Sequence, residues 1–340
     1  MNQFQVWGST FRVITAGLIA SFLAVPGFSR ADATSGAAFL KIDPSVRNQS
    51  LGGVQPAYSF GAQAVGSNPA NVCILKRSGE ITASFDALQG DSNYGNVAGA
   101  FKAGGRVWAV SATQWSSGSM DKRDDTGAVT GNFSARDLAA GLTVSQKLGP
   151  IRAGITAKGI QSTLGPYSSA WTPAADAGVS MIVKNTLWGL SALNVGPGLK
   201  YRTEKDALPT TVNGGGAVSL GPVTFVAGAT YRLAEKDTAA SLGMEYEISV
   251  LTLRMGYKGD TTSNLALKSH TGGYQAMSGL AMGVGVKVGD FKVDYAVNTA
   301  AAEWGMTHRV GLTWACGGAP AKRSAGGGSR TVRRSVRADR

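Results

Sequence analysis

The chain has 340 residues, 43% of them hydrophobic and only 16% charged, and it carries 47 glycines. Ordinary glycine usage is roughly 7%, about half of what is found here. So little charge, with no long apolar run beyond the N-terminus, fits neither a soluble enzyme nor a helical membrane protein. The formal charge of +12 marks no nucleic-acid footprint, because it gathers at the ends: seven basic residues against Asp339 give the last 24 residues +6, and Arg12 and Arg30 give the first segment +2.

In chain order, Arg12 precedes an apolar stretch from Val13 to Val25, followed by Pro26, Gly27 and Ala-Asp-Ala at 31–33. This is the pattern of a secretory signal peptide, too short to span as a mature helix, with cleavage expected after Ala31 or Ala33. The leader is assigned to residues 1–31.

Residues 34–78 read as an N-terminal plug. Gly52-Gly53 permits a sharp turn or a close backbone approach. Asn68-Pro69-Ala70 reads as a short capped helix, with Asn68 as the cap and Pro69 in the first turn.

From residue 79 to 316 the chain breaks into short segments of period-two alternation, the signal of a strand with two different faces. Leu251, Leu253, Met255 and Tyr257 alternate with Thr252, Arg254, Gly256 and Lys258. Phe291, Val293, Tyr295 and Val297 alternate with Lys292, Asp294, Ala296 and Asn298. Fourteen such segments are expected, near 80–87, 94–102, 105–115, 134–147, 151–164, 172–183, 186–195, 210–220, 223–233, 238–248, 250–258, 275–288, 291–298 and 306–315. The breaks between them alternate in length. Leu148-Gly149-Pro150, Lys184-Asn185, Leu220-Gly221-Pro222 and Val288-Gly289-Asp290 are tight turns, whereas Ser116 to Asn132, Gly196 to Thr210 and Gly259 to Tyr274 are long. Short periplasmic turns and longer external loops are the plan of an outer-membrane β-barrel. A soluble sandwich or β-helix would supply strands and glycine but not this alternation of loop lengths. The predicted fold is therefore all-β: a closed antiparallel transmembrane β-barrel of about 14 strands with an N-terminal plug, placed in the outer membrane. A lumen that wide needs a plug or forms a channel. Trp108, Trp115, Trp188, Trp304 and Trp314 are expected at the aromatic girdles, while Tyr167 and Tyr201 suit the loops. The stretch from 317 to 340 reads as a basic, disordered tail.

Several blocks resemble the PorV/PorQ family of FadL-like outer-membrane proteins. They begin with Gly36-Ala37-Ala38-Phe39-Leu40-Lys41-Ile42, then Arg47, Leu51-Gly52-Gly53-Val54 and Asn68-Pro69-Ala70. Asp137-Leu138-Ala139-Ala140-Gly141-Leu142, Gly243-Met244-Glu245-Tyr246, Leu253-Arg254-Met255-Gly256-Tyr257, Val293-Asp294-Tyr295-Ala296 and Thr307-His308-Arg309-Val310-Gly311-Leu312 follow in family order. The chain departs from the family at Asn71, where Gly or Ala is usual, and in its Arg-rich tail. The resemblance implies a fourteen-stranded barrel whose N-terminal segment folds into the periplasmic mouth. It also implies passage of small hydrophobic molecules or, alternatively, cargo handling by a type IX-like secretion system. Gate candidates are Phe39, Arg47, Gly52, Gly53, Asn68, Pro69 and Ala70. A transporter would carry an apolar pocket beside the plug and a lateral opening in the wall.

No catalytic constellation is legible. His270 and His308 have no partners at metal or triad spacing, Gly214-Gly215-Gly216 lacks the Lys-Ser/Thr of a P-loop, and Asp121, Asp124 and Asp125 suit a solvated loop better than a Ca²⁺ site. No cofactor, metal or nucleic acid is expected; the expected partners are outer-membrane lipid and either hydrophobic small molecules or secreted proteins. Cys73 precedes the first strand and Cys316 ends the last. A Cys73–Cys316 disulfide across the closure seam is open to the chain in an oxidising compartment, worth on the order of 5 kcal/mol for so long a loop.

Overall fold

The computed structural model describes residues 35–53, 56–88, 90–165, 168–201, 204–260, 279–299 and 306–318. The leader, residues 319–340 of the basic tail, His270, Tyr167 and Trp304 lie outside this set.

Among the described residues, eighteen strands follow four short helical turns. The first three are β1 (Gly79–Ala87), β2 (Asn93–Ala103) and β3 (Arg106–Ser116). A small hairpin, β4 (Met120–Arg123) and β5 (Val129–Phe133), precedes β6 (Ala135–Leu148), β7 (Ile151–Leu164), β8 (Ser168–Val183) and β9 (Thr186–Val195). A second hairpin, β10 (Leu199–Tyr201) and β11 (Glu204–Asp206), precedes β12 (Thr211–Leu220), β13 (Val223–Arg232), β14 (Asp237–Ile248) and β15 (Leu251–Asp260). The last three are β16 (Leu280–Val288), β17 (Phe291–Thr299) and β18 (Met306–Cys316). Leaving out the two hairpins, fourteen strands form a closed barrel in sequence order, sealed where β1 pairs antiparallel with β18 from Gly79↔Cys316 to Ala87↔His308. Closure removes the unpaired edge that lipid would not tolerate.

The expected strand boundaries hold to within a few residues, with three differences. β8 begins at Ser168, four residues before the expected start, and only the 280–288 part of the strand expected at 275–288 is described. The long stretches after β3 and β9 each contain a hairpin instead of plain loop, because Met120 to Phe133 and Leu199 to Asp206 can pair locally around a turn. The tight turns follow hairpin chemistry: the first turn residue has positive φ in Gly149-Pro150 (φ 63) and in Lys184-Asn185 (φ 55), which matches the twist of the paired strands.

Alternation sorts the two faces. Ile155, Val179, Leu190, Phe225, Leu253 and Val310 are about half exposed on the outside, the surface that faces lipid. Among the described residues no helix is long and apolar enough to cross a membrane; the crossing is made by strands. At the end with tight turns, Trp108, Trp188 and Trp314 face outward, and Trp314 stacks on Phe291 with ring centroids 5.9 Å apart. Trp115 is a correction: it faces the lumen and packs against a buried cluster at the long-loop end, because its parity in β3 is opposite to that of Trp108.

Candidate functional site

The lumen is occupied by the chain's own N-terminal segment, which runs the whole length of the barrel and is not confined to the periplasmic mouth. At the long-loop end the Ser35 hydroxyl donates to Glu235 (2.6 Å), Lys41 pairs with the same carboxylate, and the Gly36 amide donates to the Ala207 carbonyl (2.9 Å). The hydrogen bonds from Lys41 and Ser35 outweigh desolvation and hold the Glu235 carboxyl below its ordinary pKa. Phe39 is buried there among Tyr94, Ile160, Leu199 and Leu208. The segment then descends and leaves at the tight-turn end, where β1 begins. The family resemblance placed the segment only at the mouth; its path is longer because fourteen strands enclose more space than wall side chains fill.

One helical turn, α1 (Val46–Gln49), is capped by Ser45, whose hydroxyl accepts from the Asn48 amide. Asp43 accepts from the Ser45 amide (2.8 Å) and Asn48 Nδ2 (2.8 Å). Burial raises the Asp43 pKa to about 6 in spite of these bonds and of Arg309 nearby. Arg47 projects from this turn to a two-oxygen contact with Glu245 on β14, at 2.8 and 2.5 Å. The guanidinium lies 4.2 Å from the Tyr58 ring centroid, and Tyr58 donates to Glu245 (2.9 Å). Arg254 on β15 closes the cluster, donating to Glu245 (2.6 Å) and to Asp294 on β17 (2.8 Å). Burial opposes the Arg47 charge, but the Glu245 carboxylate outweighs it and holds the proton more firmly than an ordinary arginine would. The result is a buried, hydrogen-bonded latch joining plug to wall.

Close approach of backbone to backbone is made possible by lumen-facing glycines. Leu51, fully buried, lies over the cross-strand pair Gly243 and Gly256; a Cβ on either would run into the Leu51 backbone. Gly283 lies under Ser50, Gly311 under Val46, Gly154 under Pro69 and Gly189 under Pro56. On the plug side, Gly52 and Gly53 turn the chain with φ of 93° and 82°.

The Asn68-Pro69-Ala70 box behaves as read. Asn68 caps a 3-10 turn, Pro69–Cys73, by accepting from the Ala70 amide (3.0 Å), and its Nδ2 donates to the Pro56 carbonyl (2.7 Å) and the Val179 carbonyl (3.2 Å). Asn71 is fully buried; it accepts from Ser180 on β8 (2.6 Å) and donates to the Pro56 and Ala57 carbonyls. The wall hydroxyl of Ser145 donates to the Ala70 carbonyl (2.9 Å).

The plug leaves little room. Enclosed spaces beside it measure about 60, 50 and 10 Å³ and are lined by both polar and apolar groups. Among the described residues, these spaces beside the plug are too small to be the apolar pocket expected there. Two larger apolar hollows, of about 570 and 580 Å³, lie on the lipid-facing side of β6 to β13, where Ala153, Ala177, Ala192, Gly214 and Gly216 leave a trough between Ile155, Val179, Leu190 and Trp188. The wall remains paired behind them; its irregular point is a register shift at Ala175/Ala177 between β8 and β9, where Asp176 accepts from the Asn194 amide (2.7 Å) and pairs with Lys158 (2.7 Å).

All seven gate candidates belong to the plug, but they divide by place: Phe39 at the long-loop end, Arg47, Gly52 and Gly53 in the middle, and Asn68, Pro69 and Ala70 at the tight-turn end. The disulfide that the sequence left open is not formed; both thiols are free. The Cys73 amide is held by Ser145 on β6, whereas Cys316 lies opposite Gly79 on β1. β6 and β18 lie four strands apart around the wall, which keeps the two thiols on different sides of the lumen. The loop carboxylates are otherwise engaged: Asp121 pairs with Arg123 (2.9 Å), and Asp124 accepts from Thr126 and Ala128. His308 faces outward and shares a hydrogen bond with Tyr295 (2.7 Å).

Glu245, Arg254, Asp294 and Tyr58 escaped the list of site residues. A signal existed: each of the first three is a charge on the otherwise small or polar face of a period-two strand, and such a charge must face the lumen. Glu245 and Gly243, Arg254 and Gly256, Asp294, and Gly311 with Arg309 all fall within the blocks that carry the family resemblance.

A closed antiparallel barrel of fourteen strands, apolar outside and plugged by its own N-terminus, is the build of an outer-membrane barrel. Among solved structures it is similar to the Ralstonia pickettii toluene transporter TbuX (TM-score 0.58, 12% identity, covering 82% of this chain and all of that one). It is likewise similar to the Pseudomonas putida toluene transporter TodX (TM-score 0.58, 11% identity, 84% and 99%) and to the CymD monoaromatic hydrocarbon channel (TM-score 0.55, 11% identity, 83% and 99%). These identities establish a shared fold. No protein-family model matches the chain, and no curated protein matches it.

Proposed function

We propose that the protein is a non-enzymatic outer-membrane transporter of small hydrophobic molecules, with the N-terminal segment as its gate. The observation that carries this reading is the lumen itself. A barrel of this width is obstructed by a separate segment of the chain, fastened by close backbone packing and by side-chain hydrogen bonds and ion pairs, and not by wall side chains. The similarity of fold to hydrocarbon channels supports the choice of apolar cargo, and the weakly charged wall agrees with it. Cargo of toluene size exceeds the spaces of about 60 Å³ now present beside the plug, so passage requires part of the segment to shift. Export by the leader at residues 1–31 belongs to the same reading.

Membership of the PorV/PorQ family, with a carrier role in a type IX-like secretion system, is the second reading. It is favoured by the ordered sequence blocks, whose residues build the plug and its wall contacts.

The test is uptake of radiolabelled toluene by cells producing the chain, against cells producing a variant with the plug tethered to the wall. Uptake above the empty-cell background that falls on tethering supports transport. Background uptake together with a stoichiometric secreted protein in the purified barrel would replace it by the carrier role.

A further inference from the structure

The row of lumen-facing residues next to the tight turn between β6 and β7 holds two cations directly opposite each other, Lys147 and Arg152. Like charges facing across a strand pair repel. Such a pair ordinarily sits at an exposed rim or shares a carboxylate. Here Arg152 is only 8% exposed, and its Nη1 is buried with no hydrogen-bond partner. Among the described residues no carboxylate pairs with either cation. Of the acidic groups at this end, Glu80 accepts from the Ala62 amide (2.8 Å), Asp290 pairs with Arg77, and Glu247 stands on β14, five strands away from β7. The neighbour of Arg152 on β8 is Ser180, whose hydroxyl is directed to Asn71. Two residues further along β7, Gly154 lies against Pro69 and brings the plug down onto the same strand. Lys147 is exposed at the mouth.

An unpaired buried guanidinium is expensive, and its fork of donors matches a planar or tetrahedral oxyanion. We propose that Lys147 and Arg152 form an anion site at the periplasmic mouth, taking a carboxylate or phosphate group beneath the plug turn Pro69–Cys73. The exposed lysine meets the anion at the mouth; the buried arginine supplies the directed hydrogen bonds. This site does not depend on the transport reading, since the cations are unpaired whatever the lumen carries. The same chemistry could come from a soluble oxyanion or from the head of an amphiphile.

The experiment is calorimetric titration of the full-length purified barrel, in non-ionic detergent, with sodium phosphate, sodium acetate, decyl phosphate and decanoate. Saturable binding of the free ions identifies a soluble source; saturation by the decyl compounds alone identifies an amphiphile head. In either case Arg152→Gln should weaken binding at least about tenfold, the effect of losing a charge-assisted hydrogen bond, and Lys147→Gln should weaken it less. Lys147→Gln lies at an exposed rim and should fold even if Arg152→Gln does not, as heat-modifiable migration would show. No saturable binding of any of the four by the wild type, or equal binding by a folded variant and the wild type, would overturn the site.

Discussion

Gly256 and Asp43 show how single residues set the plug. Gly256 has ordinary strand geometry, so its backbone would accept a side chain; what forbids one is the Leu51 backbone lying on it. Gly256→Val should leave the barrel closed and unseat the segment, costing on the order of 1–3 kcal/mol as an overpacked contact does. Planar-bilayer recording should then show a larger conductance than wild type, and an unchanged conductance would mean that the contact is dispensable. Asp43 acts through its proton. Burial holds its folded pKa near 6, above the ordinary carboxylate range, so the folded state binds the proton more tightly than the unfolded state does. Stability should therefore rise as pH falls through 6 toward 4, by up to about 3 kcal/mol. Urea titrations at pH 7 and pH 5 measure this, and Asp43→Asn should flatten the difference.

Between elements, the joint of α1 to β14 and β15 is ionic. Glu245 serves Arg47, Arg254 and Tyr58 together, so Glu245→Gln leaves Arg47 buried beside Arg254 without a carboxylate of its own. Breaking a buried pair on one side costs about 3–5 kcal/mol. The double variant Arg47→Met/Glu245→Gln should be less destabilised than Glu245→Gln alone, because the orphaned charge is gone. Urea midpoints of the two variants decide this, and a double variant weaker than the single would show that Arg47 acts by packing on Tyr58. The Asn68 and Asn71 amides make a second joint, purely by hydrogen bonds, at the other end of the segment. The Cys73 thiol sits on the plug and that of Cys316 at the end of β18, and non-reducing mass mapping should find both free.

For the whole molecule, obstruction comes from one segment, so deleting residues 35–75 should turn a poorly conducting barrel into an open pore while the fourteen strands still close. Bilayer conductance of the deletion variant, with heat-modifiable migration as the check on closure, measures this. Equal conductance before and after deletion would mean that the external loops close the lumen instead.

Much of this architecture is local, and so legible in the chain. Strand existence, strand parity and turn position follow from alternation and from turn residues such as Gly149-Pro150, because each strand must present one face to lipid and the other to the lumen within a few residues of itself. The cap at Asn68 and the turn at Gly52-Gly53 are local for the same reason. What the tertiary structure alone decided is which distant residues meet: that Leu51 rests on Gly243 and Gly256, that Glu245 receives Arg47, and that Cys73 is held beside β6, four strands from Cys316. Those contacts depend on barrel closure and on the path of a segment with no periodicity of its own. Parity places a residue on a face, whereas only closure of the barrel fixes its neighbour across the lumen.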